Sequence, residues 1–424
     1  MKQVHRLFGL LGLVVTLALG GCGGGGNSAS SAPTQNSFAG GGNNVVAMTV
    51  EPGPASSGNQ PFNQPYVSVK FCVPGGSCAT ISGILVDTGS YGLRVMASVL
   101  EQAGVDLPAM PDPVVPGNTI QECLPFADGY AWGKVSSATV SIGGETSSSA
   151  VPVQVINDAS SPSPAVPPNC SSTNADTALN NVNALGANGI LGIGVLVSDC
   201  GSYCAQTPAA PSDIYYSCPP SGGSTCTLVS QPVADQVSNP VAYFPTDNNG
   251  VILQLPPISS SGAPTASGYL VFGIGTESNN GLANAKVLTT SQGGNFTTTF
   301  NGSTLGSSFI DSGSNALFFN DSSLALCGSS APENEFFCPP STTKLSATNQ
   351  GENGTTNPAD FSIANLNDIS GTSYAIDDTG GPAPSIPGFG PYFDWGLPFF
   401  YGRTIYFAIE NASAGGTTGP YYAY

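Results

Sequence analysis

A four-residue unit occurs twice in this chain, as Asp87-Thr88-Gly89-Ser90 and as Asp311-Ser312-Gly313-Ser314. Apolar residues precede each copy, Ile84-Leu85-Val86 in the first and Phe309-Ile310 in the second. More follow, Leu93 and Val95 after the first and Ala316-Leu317-Phe318-Phe319 after the second. A buried strand that ends in Asp, turns tightly at Gly and runs on into apolar sequence carries a carboxylate to the tip of a rigid loop. Two such loops can set two carboxylates face to face, an arrangement able to activate water without a metal.

The surrounding sequence is consistent with strands throughout. Charged residues make up only 8% of the chain, and no stretch supplies Ala, Leu, Glu and Lys at a helical period. Short Val/Ile/Thr/Phe/Tyr runs broken by Gly, Pro and Asn predict an all-β fold. The length of 424 residues exceeds what one core commonly holds, which predicts two domains or lobes. A net charge of −18 excludes nucleic acid as a partner, because phosphate binding needs clustered Lys and Arg.

The N-terminus reads as a targeting segment. Lys2 and Arg6 form a short basic region, Leu7 to Leu19 is apolar, and Leu19-Gly20-Gly21-Cys22 closes on a cysteine. This resembles a bacterial lipoprotein signal, residues 1–21, with Cys22 acylated and the protein carried to the outer membrane by that lipid. The alternative is an ordinary secretory signal before an unrelated cysteine. The glycine tract directly after Cys22 favours the lipoprotein, with 22–43 as a flexible tether. Removing 1–21 takes away His5, the only histidine of the sequence, and with it Ser-His-Asp, Cys-His and histidine-metal chemistry. No metal or other cofactor is expected.

Ten cysteines besides Cys22 predict a disulfide framework. Cys72/Cys78 and Cys327/Cys338 are spaced for small local loops, whereas Cys123, Cys170, Cys200, Cys204, Cys218 and Cys226 are left unassigned. Strands are expected at Val45–Val50, Tyr66–Phe71, Gly250–Leu255, Gly268–Gly273, Phe296–Phe300 and, as one run, Trp395–Phe407. Asn188–Gly194 reads as a compact apolar strand between glycines, 157–235 as disulfide-pinned insertions, and 328–390 as polar and loop-rich. Asp247-Asn248-Asn249-Gly250 is a turn rather than a calcium loop, since the later carboxylates are missing. Phe126-Ala127-Asp128-Gly129-Tyr130-Ala131-Trp132-Gly133 reads as a hairpin tip.

Taken in order, these elements resemble the pepsin-like aspartic peptidases, in an uncharacterised bacterial lipoprotein branch. Beyond the paired Asp units, the resemblance rests on an apolar-apolar-glycine strand after each, Ile190-Leu191-Gly192 and Trp395-Gly396-Leu397. It rests also on the hairpin 126–133, placed where the family has its flap, and on Tyr269–Gly275, similar to the strand closing the family's first lobe. It implies a bilobal acid-protease fold with a cleft between two six-stranded-barrel-type lobes, 44–281 with its Cys-rich insertions and 282–424. Asp87 and Asp311 would form the catalytic dyad. Thr88 and Ser312 would brace the loops, Ser90 and Ser314 would bond the outer carboxylate oxygens, and Gly89 and Gly313 would form the turns. The implied activity is hydrolysis of peptide or protein substrates by a monomer. The departures lie at the flap (Phe126, Asp128, Gly129, Tyr130 and Trp132). Phe126 stands where the family usually has tyrosine, and Arg94 where a tryptophan often partners it; Tyr130 or Trp132 is the candidate replacement donor. That altered flap supports the alternative of a catalytically weak or inactive pepsin-fold lipoprotein binding a peptide, protein or glycan in its cleft.

Overall fold

The computed structural model describes residue 38 and residues 41–424, apart from 55–59, 128, 158–164, 172–176, 211, 220–225, 331–332 and 387. The signal, Cys22 and the tether up to residue 37 therefore lie outside the described residues, as does Asp128. Strands dominate, and the α-helices among the described residues are short turns at Ala97–Gln102, Pro168–Ser171 and Val182–Leu185. The all-β class expected from the sequence is met. No described helix is long and apolar enough to cross a membrane.

Two main sheets carry the fold, one of 16 strands and one of seven. The strand counts depart from six per lobe, and C-terminal strands return to the first sheet. Thr404–Ala408 pairs antiparallel with Gly250–Gln254, and Tyr421–Ala423 adds beyond it. The seven-stranded sheet holds the second Asp loop, with Ser303–Ile310 leading into it. Both sheets bury one contiguous apolar core, in which Val86, Leu93, Leu191, Ile310, Leu317 and Trp395 surround the bases of the two Asp loops. Burial of apolar area on this scale is the main driving force for the fold.

Two regions differ from the sequence expectation. The run Trp395–Phe407 is not one strand: Asp394–Trp395 is followed by a 3-10 turn at Leu397–Phe400, and pairing resumes at Thr404–Ala408. Pro398 has no backbone donor for a ladder and fits the first turn of a helix, which explains the break. The polar region 328–390 contains a long hairpin, Thr343–Gln350 with Thr356–Ile363, in continuous register. Burial alternates along its first strand, but the inward positions there are Thr343, Leu345, Ala347 and Asn349, half of them polar, so the sequence lacks the apolar alternation that identifies a half-buried strand.

Five disulfides form. Cys72–Cys78 and Cys327–Cys338 close the two local loops expected from spacing. Cys200–Cys204 and Cys218–Cys226 are also local, while Cys123–Cys170 closes a separation of 47 residues. This last bridge constrains the unfolded chain most, so Cys123→Ser/Cys170→Ser is expected to lose about 2–3 kcal/mol in urea unfolding. The matching pair at Cys72 and Cys78 should lose less.

Candidate active site

Each Asp loop is built by the same three-strand device. Cys78–Asp87 enters the first loop and Tyr91–Met96 leaves it, and Gly189–Ile193 runs between them. That middle strand pairs parallel with the first, Asp87 opposite Gly192, and antiparallel with the second, Gly92 opposite Gly192. In the second half Asp394–Trp395 plays the same part: Ile310 pairs parallel with Trp395, and Phe318 pairs antiparallel with Asp394. A Cβ on Gly192 would stand 2.7 Å from Gly92 O, and one on Gly396 would stand 2.0 Å from Ala316 O. Gly192 and Gly396 are thus what let the backbone pass directly behind each loop.

The two loops lock onto each other through Thr88 and Ser312. Thr88 Oγ1 donates to Ile310 O (3.2 Å) and accepts from Ser312 N–H (2.9 Å). Reciprocally, Ser312 Oγ donates to Val86 O (2.7 Å) and accepts from Thr88 N–H (3.1 Å). Both side chains are fully buried, so every bond of this exchange is shielded from water. The exchange fixes the separation and orientation of the loop tips.

On those tips the carboxyls meet. Gly89 N–H donates to Asp87 Oδ1 (2.9 Å) and to Asp311 Oδ1 (3.1 Å), and Gly313 N–H donates to Asp311 Oδ1 (2.7 Å). Ser90 Oγ reaches Asp87 Oδ2 at 2.5 Å and Ser314 Oγ reaches Asp311 Oδ2 at 2.8 Å. The two carboxyls also hydrogen-bond to each other. A Cβ on Gly89 would lie 2.4 Å from Asp311 Cγ, and one on Gly313 would lie 2.7 Å from Asp87 Cγ. Each glycine therefore leaves the space that the opposite carboxyl fills. Gly89 is exposed and Asp311 half-buried, so the pair opens to solvent on this side.

Burial, then the charge of Asp311, push the Asp87 carboxyl up from 3.8 to about 8. Two acids in contact cannot both ionise cheaply, and the pair holds one proton across a wide range. Because this folded value lies above that of the unfolded chain, ionising Asp87 opposes folding. The penalty is absent below about pH 4 and grows as pH rises towards 8. Asp87→Asn is therefore expected to match wild-type stability at pH 4 and to gain about 1–3 kcal/mol at pH 8, measured by urea unfolding at both values. Equal stability of the two proteins at pH 8 would contradict this.

Sequence reasoning missed several neighbours of the dyad. Asp394, buried on the middle strand of the second device, has its Oδ2 2.7 Å from Ser314 Oγ. Tyr91, next after Ser90, has its phenol pushed up by burial and then by the charges of Asp87 and Asp311. Asn63, with φ of 53°, donates to Asn315 O and Ile376 O and accepts from Tyr401 Oη, tying the second loop to distant segments. Nothing in the sequence around Asn63 signals this role.

The hairpin expected as a flap forms, with Phe126 paired to Gly129. It is incorporated into a sheet rather than standing apart. Tyr215–Cys218 pairs along its first strand, and Tyr130 bridges to Ala178 on its second. Tyr130 and Trp132, two residues apart, share one face and are buried with Cys123, Cys170, Tyr216 and Cys218. Phe126 packs with the separate cluster around Tyr66, Leu179 and Ile190. The replacement-donor expectation for Tyr130 or Trp132 thus meets side chains engaged in a disulfide-lined core.

Arg94 also has a definite place. It is fully buried and donates from Nη2 to Glu122 and to Asp199, both at 2.8 Å, and from Nη1 to Tyr91 O and Gly92 O. Tyr215 Oη donates to the other oxygen of Asp199 at 2.7 Å. Burial works to lower the Arg94 pKa, but Glu122 and Asp199 outweigh it and raise it overall. The cation thus clamps the strand leaving the Asp87 loop to the hairpin strand that carries Glu122. No group of three or more His, Cys, Asp or Glu among the described residues is arranged to hold a metal ion.

Residues 40–424 match the family described as "Protein of unknown function (DUF3443)", and the chain belongs to that family. No curated protein matches it in sequence. Among solved structures it is similar to an aspartic proteinase from Irpex lacteus, at 17% identity, over 89% of this chain and 96% of that one, with a TM-score of 0.47.

Proposed function

We propose that this protein is an aspartic endopeptidase that hydrolyses peptide bonds in protein or peptide substrates through a water held between Asp87 and Asp311. The observation that carries the reading is the pairing itself: two matched loops, locked by Thr88 and Ser312, present two carboxyls bonded to each other and to one shared Gly89 N–H. In this reading the ionised carboxyl takes a proton from water as it attacks the peptide carbonyl. The protonated one hydrogen-bonds the carbonyl oxygen, and the leaving nitrogen is protonated as the tetrahedral intermediate collapses. The enzyme acts as a monomer, without metal or cofactor, held to the outer membrane by a lipid on Cys22.

The test is digestion of an unfolded protein by the full chain in detergent across pH 3–8, with and without pepstatin. Cleavage that pepstatin suppresses supports the reading. Absence of cleavage at every pH, in chain shown to be folded by circular dichroism, would reject it. That second outcome would favour a cleft that binds a peptide, protein or glycan without turnover, a reading aided by the burial of Tyr130 and Trp132 in the disulfide-lined cluster.

A further inference from the structure

The strands that pass behind the two Asp loops differ in charge at one position. Opposite the residue before each catalytic Asp stand Leu191 and Trp395, and the residues preceding these are Ile190 and Asp394. The first half therefore has an apolar side chain where the second has an acid. Asp394 is buried, and its Oδ2 lies 2.7 Å from Ser314 Oγ, which is itself 2.8 Å from Asp311 Oδ2. Ser90 Oγ, the counterpart of Ser314, bonds Asp87 with no acid behind it.

Counting hydrogens decides what this arrangement holds. A serine hydroxyl has one hydrogen and can donate to one oxygen at a time. Placed between two carboxyl oxygens at hydrogen-bond distance, Ser314 donates to one and must accept from the other, so one of the two acids carries a proton. Asp311 already accepts from Gly313 N–H and Gly89 N–H. Asp394 has no such support, and its Oδ1 is buried without a hydrogen-bond partner. Among the described residues, none of the groups acting on it is a cation. Asp311 and Asp87 face it from the two loops, Tyr392 lies two residues before it, and Tyr422 reaches it from the C-terminal strand. Burial and then the charge of Asp311 hold its carboxyl well above the usual range.

We infer that Asp394 is a positioning residue that sets the proton pattern of the dyad: neutral Asp394 donates to Ser314, Ser314 donates to Asp311, and Asp311 is the ionised member while Asp87 bears the proton. The assignment gives the two halves distinct parts, Asp311 as base towards water and Asp87 as acid towards the substrate carbonyl; that division rests on the proposed peptidase activity. It also builds in an alkaline limit. When Asp394 loses its proton it competes for the single Ser314 hydrogen and places a second negative charge beside Asp311; the dyad proton then moves from Asp87 to Asp311, which ceases to act as base. No bond other than those to hydrogen changes in this relay, and the proton lost from Asp394 goes to solvent.

Asp394→Asn separates the possibilities, because an amide keeps a donor for Ser314 but cannot ionise. The first measurement is infrared difference spectroscopy of neutral carboxyl groups in the full chain at pH 6.5, with folding checked by near-ultraviolet circular dichroism. Wild type should show a neutral carboxyl signal from Asp394 beside that of Asp87, and Asp394→Asn should remove the first and keep the second. Retention of every signal in Asp394→Asn would mean that Asp394 is ionised, and would overturn the inference whether or not the protein is a peptidase. The second measurement is the pH profile of kcat/KM on a peptide. Asp394→Asn should move the alkaline limb, taken relative to its own value at pH 5, up by about one pH unit, a tenfold gain on that limb. An unmoved limb, or an equal loss at all pH values, would overturn the regulatory part. Wild-type chain without peptidase activity would reject the proposed function, while the infrared result would still decide the protonation of Asp394.

Discussion

Asp311→Asn and Asp87→Asn should each lower peptide hydrolysis by roughly 10³-fold, about 4 kcal/mol in the barrier. Asparagine keeps the size of the side chain and can still accept from Gly313 or Gly89, so the loops retain their lock through Thr88 and Ser312. What it loses is the ability to take up or give up a proton. The double variant should be no worse than either single one, because the two carboxyls act as a unit. The measurement is initial-rate cleavage of an unfolded protein at several pH values, alongside melting curves at pH 4. Cleavage that persists in either single variant would remove the dyad from the mechanism.

Arg94→Met should cost about 3–5 kcal/mol of stability, the usual cost of breaking a buried ion pair from one side. The cation serves two buried carboxyls, Glu122 and Asp199, and methionine would leave both without it. The effect carries a definite pH signature. Burial and then Glu122 already hold Asp199 well above its usual range, and losing Arg94 would raise it further. A raised carboxyl contributes a penalty absent at low pH that grows as pH rises through the folded value. The loss should therefore be smaller at pH 4 than at pH 8, as read from urea midpoints. A triple variant with Glu122→Gln and Asp199→Asn should recover part of it. A loss below about 1 kcal/mol at both pH values would show that the network contributes little.

The parts of the site that were legible share a physical property: their chemistry is written in consecutive residues. Asp-Thr/Ser-Gly-Ser after an apolar strand names its own loop, and a glycine directly after apolar residues, Gly192 after Leu191 and Gly396 after Trp395, names the strand able to pass behind it. Partners assembled from distant strands leave no such trace. Asp394 reads as an acid beside a tryptophan, and only the parallel pairing with Ser303–Ile310 carries it to Ser314. Glu122 and Asp199 lie 28 and 105 positions from Arg94, so a lone arginine in a strand gives no hint of them. For Tyr130 and Trp132 a signal was present. Their spacing of two puts them on one face of a strand, and the neighbouring Cys123 strand supplies a buried partner for that face. The hairpin Thr343–Ile363 was hidden because its inward face carries Thr343 and Asn349 beside Leu345 and Ala347, which blurs the apolar alternation that marks a strand.

The aromatic stack behind the second Asp loop has an optical consequence. Phe319 and Phe393 lie parallel with centroids 4.8 Å apart, and Phe393 stacks on Trp395 at 3.9 Å. The sequence has two tryptophans, and the other, Trp132, sits in the first half among the Cys123, Cys170 and Cys218 sulfurs. Disulfides quench nearby indole emission, so fluorescence from the folded protein should come mainly from Trp395 in the core under Asp311, and that of Trp132 should rise when Cys123–Cys170 is reduced. Each half thus carries its own intrinsic chromophore, and the loosening of one Asp loop can be followed separately from the other.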